Sequence, residues 1–405
     1  MTRGTETSET LLSRAAWSRI VEPADEVAGM LVAAVGPVAG LRWVCAVSTD
    51  PDLVGQGVAQ LMDRLGLDSP TMRQRLVRAV ARWAPRVTGL DPRHDVAMLH
   101  GLGGRLVTPE NEEWPSHLDD LGAAAPLCLW VRGESRVDAV LSRSVSLVGA
   151  RASTDYGDRV AGEMAAVLAD HGFATVSGGA YGIDAAVHRG SLAASGATVA
   201  FLAGGVDRLY PAGNAQLLRA ITDQGGVLVS ESPPGGVPSR VRFLKRNRLI
   251  AAAGSATVVV EAAWRSGSLA TAARAFDLLR PVGAVPGPVT SMASAGCHRL
   301  LREGRAVCVT DADDVRELAG STGADRAGAA DRDARRDSAA RRPHDGLDPS
   351  DQQVFDALPV GNAADLAVVV HEAGVSVDDA MASLGRLEVR GLARRDGSGW
   401  LRGRA

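Results

Sequence analysis

From Ser144 onward, short runs rich in β-branched residues alternate with longer stretches of helical character, and no other feature constrains the fold as tightly. The runs occupy 145–149, 173–177, 198–202, 226–230, 257–261 and 281–285. Each has the length of a strand, and the segments between them are long enough to cross back over a sheet, which parallel pairing requires. An α/β fold built on a doubly wound, mostly parallel sheet is therefore expected. Ligands on such sheets sit at the carboxyl ends of the strands, where the loops carry function, and several of these runs end in Gly, Ser or a charged residue.

The flanks read differently. Residues 10–88 are Ala-, Leu- and Val-rich at helical spacing, broken at Gly36-Pro37-Val38-Ala39-Gly40 and around 65–70, which sets apart a helical domain over 1–88. Short Gly turns between small helices can form helix-hairpin-helix or SAM-like units; a structural cap of helices fits the same pattern. Residues 89–143, punctuated by Pro109, Trp114-Pro115 and Pro126, form a connector into a core that runs to 318. The stretch 319–346 is Ala, Asp, Arg and Gly with almost no large apolar side chain, a composition that cannot repay its ordering entropy and so reads as a flexible linker. Beyond it, 347–405 reads as three helices and a two-stranded wing, a small winged-helix-like module.

The chain of 405 residues is 46% hydrophobic and 22% charged, which is globular composition. It contains no apolar run of about 18 residues and no secretory leader, so a cytoplasmic protein with no membrane partner is expected. Cys45, Cys128, Cys297 and Cys308 are far apart with no C-x-x-C pair, which points to reduced thiols and away from a zinc ribbon. The net charge of −3 conceals an asymmetry: 145–310 holds 16 basic and 11 acidic residues, or +5, leaving −8 for the rest. A basic centre in an acidic chain suggests a localised anionic partner.

Three segments carry chemistry. The first run leads into Val148-Gly149-Ala150-Arg151 and then Ser153-Thr154-Asp155. Gly149 permits close backbone approach, the helix start offers unpaired amides and Arg151 adds a charge, which together make a phosphate seat. The second run delivers Ser177-Gly178-Gly179-Ala180-Tyr181-Gly182-Ile183-Asp184 into another helix, with His188 one turn on. Tight packing explains one such Gly-rich turn as readily as ligand binding does; two in succession favour the ligand. Asp184 and His188 share a helical face, either as a base and its orienter or as a capping carboxylate beside a packed imidazole. The third segment, Arg240-Val241-Arg242-Phe243-Leu244-Lys245-Arg246-Asn247-Arg248, has five basic residues in nine with almost no neighbouring acid. Phosphate contact competes here with a merely solvated face, and a helix is expected to start near Arg246. Phe243 and Tyr181 could stack on bases or belong to the core. Neither G-x-G-x-x-G nor G-x-x-x-x-G-K-[ST] is present, against a dinucleotide site and against ordinary ATP hydrolysis.

Taken in order, these segments carry a resemblance. Val148-Gly-Ala-Arg151, Tyr156-Gly157, Ser177-Gly-Gly-Ala-x-Gly-Ile-Asp184 with His188, Gly205-Val-Asp207 with Tyr210-Pro211 and Asn214, Ser230-Glu231, Arg246-Asn-Arg-Leu-Ile250, Val260-Glu261-Ala262, Ser266-Gly-Ser-Leu-Ala-Thr271 and Ala284-Val-Pro-Gly287 follow one another as in the DNA-processing protein A (DprA/Smf) family, over about 145–310. The chain resembles that family, which implies an extended Rossmann-like core, a helical N-terminal domain and a C-terminal winged helix. It also implies a homodimer that binds single-stranded DNA without sequence preference, uses no cofactor, catalyses no reaction, and helps load RecA onto incoming strands during natural transformation. On this reading Arg151, Lys245, Arg246 and Arg248 neutralise phosphates, and Gly149, Ser177, Gly178, Gly179 and Gly182 present amides or permit approach. Arg242, Asn247, Ser266, Gly267 and Ser268 complete the expected DNA site. The sequence departs from the family pattern at Lys245, at Ala212 after the Tyr-Pro pair, and at Gly296-Cys297-His298. The rival is a phosphoribohydrolase-like enzyme on nucleotides using Glu261 or Asp184, although the Pro-Gly-Gly-x-Gly-Thr loop of such enzymes is missing.

Overall fold

Five helices fill the N-terminal segment: α1 (Thr2–Ile20), α2 (Glu26–Val35), α3 (Pro37–Val47), α4 (Val54–Arg64) and α5 (Pro70–Val87). Their ends follow local chemistry. Asp25 accepts the Val27 and Ala28 amides at the start of α2, and Gly36, at φ +81°, ends α2 just before Pro37 opens α3. Ser69 caps α5 through the Met72 amide, with Pro70 in its first turn. Trp17 and Trp83 meet edge to face at 5.6 Å in the centre of this layer, surrounded by Ile20, Leu31, Val44, Val58 and Met62. The computed structural model describes residues 2–50, 53–320, 347–360, 363–397 and 399–403, with side chains from residue 8 onward.

The connector is more regular than its prolines suggest. It contains α6 (Pro92–Gly101), capped by Asp91, and two strands, β1 (Gly104–Val107) and β2 (Leu129–Arg132). The run around Leu129 is apolar on both faces, as a buried strand must be, and it adds to the sheet: β2 pairs antiparallel with β6 (Val227–Ser230), Val131 opposite Val229.

All six expected strands are present, slightly trimmed: β3 (Ser144–Val148), β4 (Ala174–Ser177), β5 (Thr198–Phe201), β6, β7 (Thr257–Val259) and β8 (Val282–Ala284), with a short β9 (Val307–Cys308) beyond them. Among the described residues they form one nine-stranded sheet in the order β1-β2-β6-β5-β4-β3-β7-β8-β9, parallel from β6 to β9. Strand order reverses between β3 and β7, which creates the crevice where ligands bind on such sheets. The helices α7 (Val137–Leu141), α8 (Asp155–Asp170), α9 (Ile183–Ala193), α10 (Ala215–Asp223), α11 (Arg240–Ala253), α12 (Ser268–Asp277), α13 (Ala295–Arg302) and α14 (Ala312–Ala319) complete the unit. Leu249 to Ala253 of α11 and Leu269 and Ala272 of α12 pack on one face, while Ala161, Met164 and Leu168 of α8 and Ile183 and Val187 of α9 pack on the other.

The chain divides into two compact units, Met1–Arg326 and Ala327–Ala405, so the N-terminal helices share a unit with the sheet. The expected linker at 319–346 lies, from 321 on, outside the described residues. The second unit contains α15 (Pro349–Ala357), α16 (Leu366–Ala373), α17 (Val377–Val389) and an antiparallel hairpin, β10 (Ala393–Asp396) and β11 (Gly399–Arg402), around Val354, Phe355, Leu384, Leu387 and Trp400. All four cysteines are unpaired, and no single described helix is long and apolar enough to cross a membrane.

Candidate nucleic-acid interface

At the carboxyl end of β3 the chain turns at Gly149, where a Cβ would lie 2.5 Å from the Ile183 Cγ1 atom. The turn is laced to the start of α9: the Ile183 amide donates to the Ala150 carbonyl at 3.1 Å. Gly182, at φ +73°, packs so close that a Cβ there would sit 2.3 Å from the Ala150 oxygen. From the neighbouring β7 comes Glu261, fully buried, whose carboxylate accepts the Thr154 amide at 2.9 Å and the Thr154 hydroxyl at 2.6 Å. Thr154 in turn caps α8 through the Gly157 amide. The two loops that flank the switch point are thus held to the sheet by backbone and buried carboxylate.

Between them opens a cleft of about 470 Å³ lined by Gly149, Arg151, Phe243, Arg246, Asn247, Arg265 and residues 266–268. Arg151 is exposed, its guanidinium 4.7 Å from the Phe243 ring centroid. Tyr210, half exposed, flanks the same ring at 5.8 Å. Arg265 is exposed and has no hydrogen-bond or ion-pair partner among the described residues. At the start of α12, Ser266 and Ser268 share a hydrogen bond of 2.8 Å, and the Asn247 side-chain amide donates to the Gly267 carbonyl at 3.3 Å. A helix start, two exposed guanidinium groups and an aromatic face therefore share one opening, a combination suited to phosphate and a flat ring.

The expected site residues part into two groups. Gly149, Arg151, Arg246, Asn247, Ser266, Gly267 and Ser268 line the cleft; Ser177, Gly178, Gly179, Gly182, Arg242, Lys245 and Arg248 do not. The polar groups of the Gly-rich turn after β4 face inward, although Ala180 lines the cleft and Tyr181 is half exposed. The Gly178 and Ala180 amides donate to Asp184 at 3.2 and 3.3 Å, and the Ser177 hydroxyl donates to the Leu147 carbonyl, so these groups are not free for a ligand. Gly179 and Gly182 supply positive φ for that turn.

The basic segment is corrected most. Its helix begins at Arg240, capped by Ser239, six residues before the expected start. Two of its arginines meet acids supplied from distant parts of the chain. Arg248 forms two 2.6 Å bonds with Glu231 and a third with the Ala124 carbonyl, all buried. Arg242 binds Glu22 at 2.8 and 3.0 Å. Burial alone would raise the Glu22 pKa, but Arg242 and Arg86 pull it below the usual carboxylate value. Arg246 is 5% exposed on the cleft floor. It donates to the carbonyls of Gly178, at 2.8 Å, and Phe201. Burial lowers its pKa to about 10 against the pull of Asp184. It braces the loops and has little surface to offer. Lys245 turns away from the cleft, toward the N-terminal helices.

Asp184 and His188 are both buried and serve separate partners, Asp184 the Gly178 and Ala180 amides and His188 the Thr198 hydroxyl at 2.8 Å. Burial, with Arg246 nearby, drops the His188 pKa to about 3. His188 is packed, but Asp184, the second residue of α9, ties down the preceding turn and does not cap the helix, whose start at Gly182 has no side-chain cap; the two are not a base and its orienter. Arg265 joins the site from outside the expected set; its place directly before Ser266-Gly-Ser is the one signal the sequence offers, and only the fold shows that it is unpaired.

The family model for DNA recombination-mediator protein A matches residues 105–320. A Mycobacterium tuberculosis protein named as a DNA processing protein DprA is 49% identical over 314 residues, 75% of this chain and 78% of that protein. The DNA processing protein DprA of Streptococcus pneumoniae is 38% identical over 191 residues, 47% of this chain and 66% of its own. Its X-ray structure superposes with a TM-score of 0.55 at 28% identity, covering 69% of this chain and 97% of the solved one.

Proposed function

The chain belongs to the DNA recombination-mediator protein A (DprA/Smf) family, and from that premise we propose that it binds single-stranded DNA without sequence preference and acts as a recombination mediator, delivering strands to RecA in natural transformation. One observation carries the reading. The switch-point cleft presents Arg151 and Arg265 as exposed cations beside the Phe243 ring, while the neighbouring cations Arg242 and Arg248 are tied to acids. The backbone of a strand supplies the phosphates, and base faces supply the stacking partner regardless of sequence. The homodimer and the winged-helix character of the second unit belong to the same reading.

The enzymatic alternative loses its carboxylates. Glu261 is buried and accepts two hydrogen bonds from Thr154, and Asp184, although it lines the cleft, spends its carboxylate on the Gly178 and Ala180 amides.

Titration of a labelled oligothymidylate at several salt concentrations tests the proposal. Affinity should fall with salt at a slope of about −0.7 per phosphate neutralised in log–log form. Arg151→Ala and Arg265→Ala should each weaken binding about tenfold, about 1.4 kcal/mol, with circular dichroism unchanged. Because they sit on different strand-end loops, the double variant should lose both contributions roughly additively. Salt-independent binding, or wild-type affinity in both folded variants, would overturn it.

A further inference from the structure

Helix α5 carries five arginines and no acidic residue in 18 positions. Four of them, Arg75, Arg78, Arg82 and Arg86, recur at spacings of three, four and four and so form one stripe. The stripe lies away from the buried face of the helix, which is Leu76, Ala79, Val80 and Trp83. That apolar face anchors α5, and the Trp83 indole and Arg86 add hydrogen bonds to Asp25, Glu22 and the Ile20 carbonyl.

The acids nearest to the stripe are largely committed elsewhere. Glu22 binds Arg242 as well as Arg86, and Asp25 caps α2 and accepts the Trp83 indole N–H at 3.1 Å in addition to Arg82. The remaining pairings are long: Arg75 to Glu26 at 3.4 Å, exposed on both sides and so readily exchanged for another anion, and Arg82 to the largely buried Asp25 at 3.3 Å. Arg78 bonds only the Gln74 carbonyl among the described residues.

The stripe is also continuous with the cleft. Leu244, exposed on α11, lines both the cleft and an adjoining hollow of about 430 Å³. Lys245 lines that hollow and a third one of about 440 Å³, which Arg75, Arg82 and Arg86 line together with Glu22, Asp25 and Glu26. Lys245 is the only lysine of the chain and has no carboxylate partner among the described residues. The geometry points to an extended track in which a single strand seated in the switch-point cleft continues over Leu244 and Lys245 and lays its next phosphates along the Arg75–Arg78–Arg82–Arg86 stripe of the N-terminal helices. This inference rests on the cleft reading above and adds to it the path by which the strand leaves.

Strand length separates the two. The full chain is titrated with oligothymidylates of about 6 and about 30 nucleotides, one short enough for the cleft and one long enough for the whole track. Arg78→Gln/Arg82→Gln should leave the short strand within twofold of wild type. It should weaken the long strand about tenfold and make its salt slope shallower by about 1.4, or 0.7 per cation removed. The Arg78→Lys/Arg82→Lys variant, which keeps the charge, should restore both. Long-strand affinity and slope equal to wild type in the folded Gln variant would overturn the track, as would an equal loss on both strands. Lys245→Gln, at the junction, gives the same length-dependent signature by a substitution outside α5, so a folding defect in the helix variant does not leave the question open. If instead Arg151→Ala fails to weaken the short strand, the cleft reading is the one that falls.

Discussion

Arg248 shows how little a basic side chain reveals about its task until its surroundings are known. In sequence it stands in a run of cations and reads as a phosphate ligand; in the fold it is buried against Glu231, with both partners under 10% exposed. Removing one member of such a pair strands an uncompensated charge, which costs about 3–5 kcal/mol. Arg248→Ala should therefore lower stability by about that much, read as a shift in urea midpoint at unchanged slope. A loss below about 1 kcal/mol would show that the pair is not buried in solution. The same reasoning divides the run residue by residue: Arg246 braces the Gly178 and Phe201 carbonyls, Arg242 holds the α1–α2 turn through Glu22, and Lys245 keeps a free charge.

Elements are held in register by small residues where backbones touch. Helices α8 and α9 cross at Gly162 and Gly190, and a Cβ on Gly190 would lie 2.2 Å from the Gly162 carbonyl oxygen. Backbone cannot rotate aside as a side chain does, so the helices would have to separate, and overpacking of this kind costs about 1–3 kcal/mol. Gly190→Ala should lower the thermal midpoint accordingly, whereas Gly385→Ala on α17, where nothing lies within 4 Å of the added carbon, should not destabilise. Because α9 also packs against the Gly149 turn, loosening it should weaken strand binding as well as stability.

At the scale of the molecule, the end of the second unit is acidic. Residues 347–405 hold nine acids and six arginines, and α17, the helix a winged-helix reading would send into DNA, starts with Asp378 and Asp379 in its first turn. That terminus would meet phosphate with the wrong sign. Truncation after Gly320, close to the boundary between the units, should leave the single-strand affinity of the first unit intact, measured by the same oligothymidylate titration. A loss beyond about tenfold would place the second unit in the main DNA site.

The alternation of strands and helices, the loops at the strand ends and the helical N-terminal layer were all legible in the residues, because strand and helix periodicities and the chemistry of Gly, Pro, Ser and Asp act over a few positions. So was the cleft in outline, since Gly149 and Arg151 follow directly on β3 and Ser266 to Ser268 lead from the loop after β7 into α12. The antiparallel strands β1 and β2 were not, because each is only four residues long between proline-punctuated turns and is fixed by pairing, β1 with β2 and β2 with β6. Nor was the fate of the basic run. Glu22 and Glu231, which claim Arg242 and Arg248, lie 220 and 17 positions away, and the inward turn of the Gly178 and Ala180 amides depends on a buried Asp184. Charge pairing and burial are properties of distance in space, so the fold alone decided that Arg242, Arg246 and Arg248 of the basic segment would be spent on structure while Arg151 and Arg265, on two other loops, would be left facing solvent.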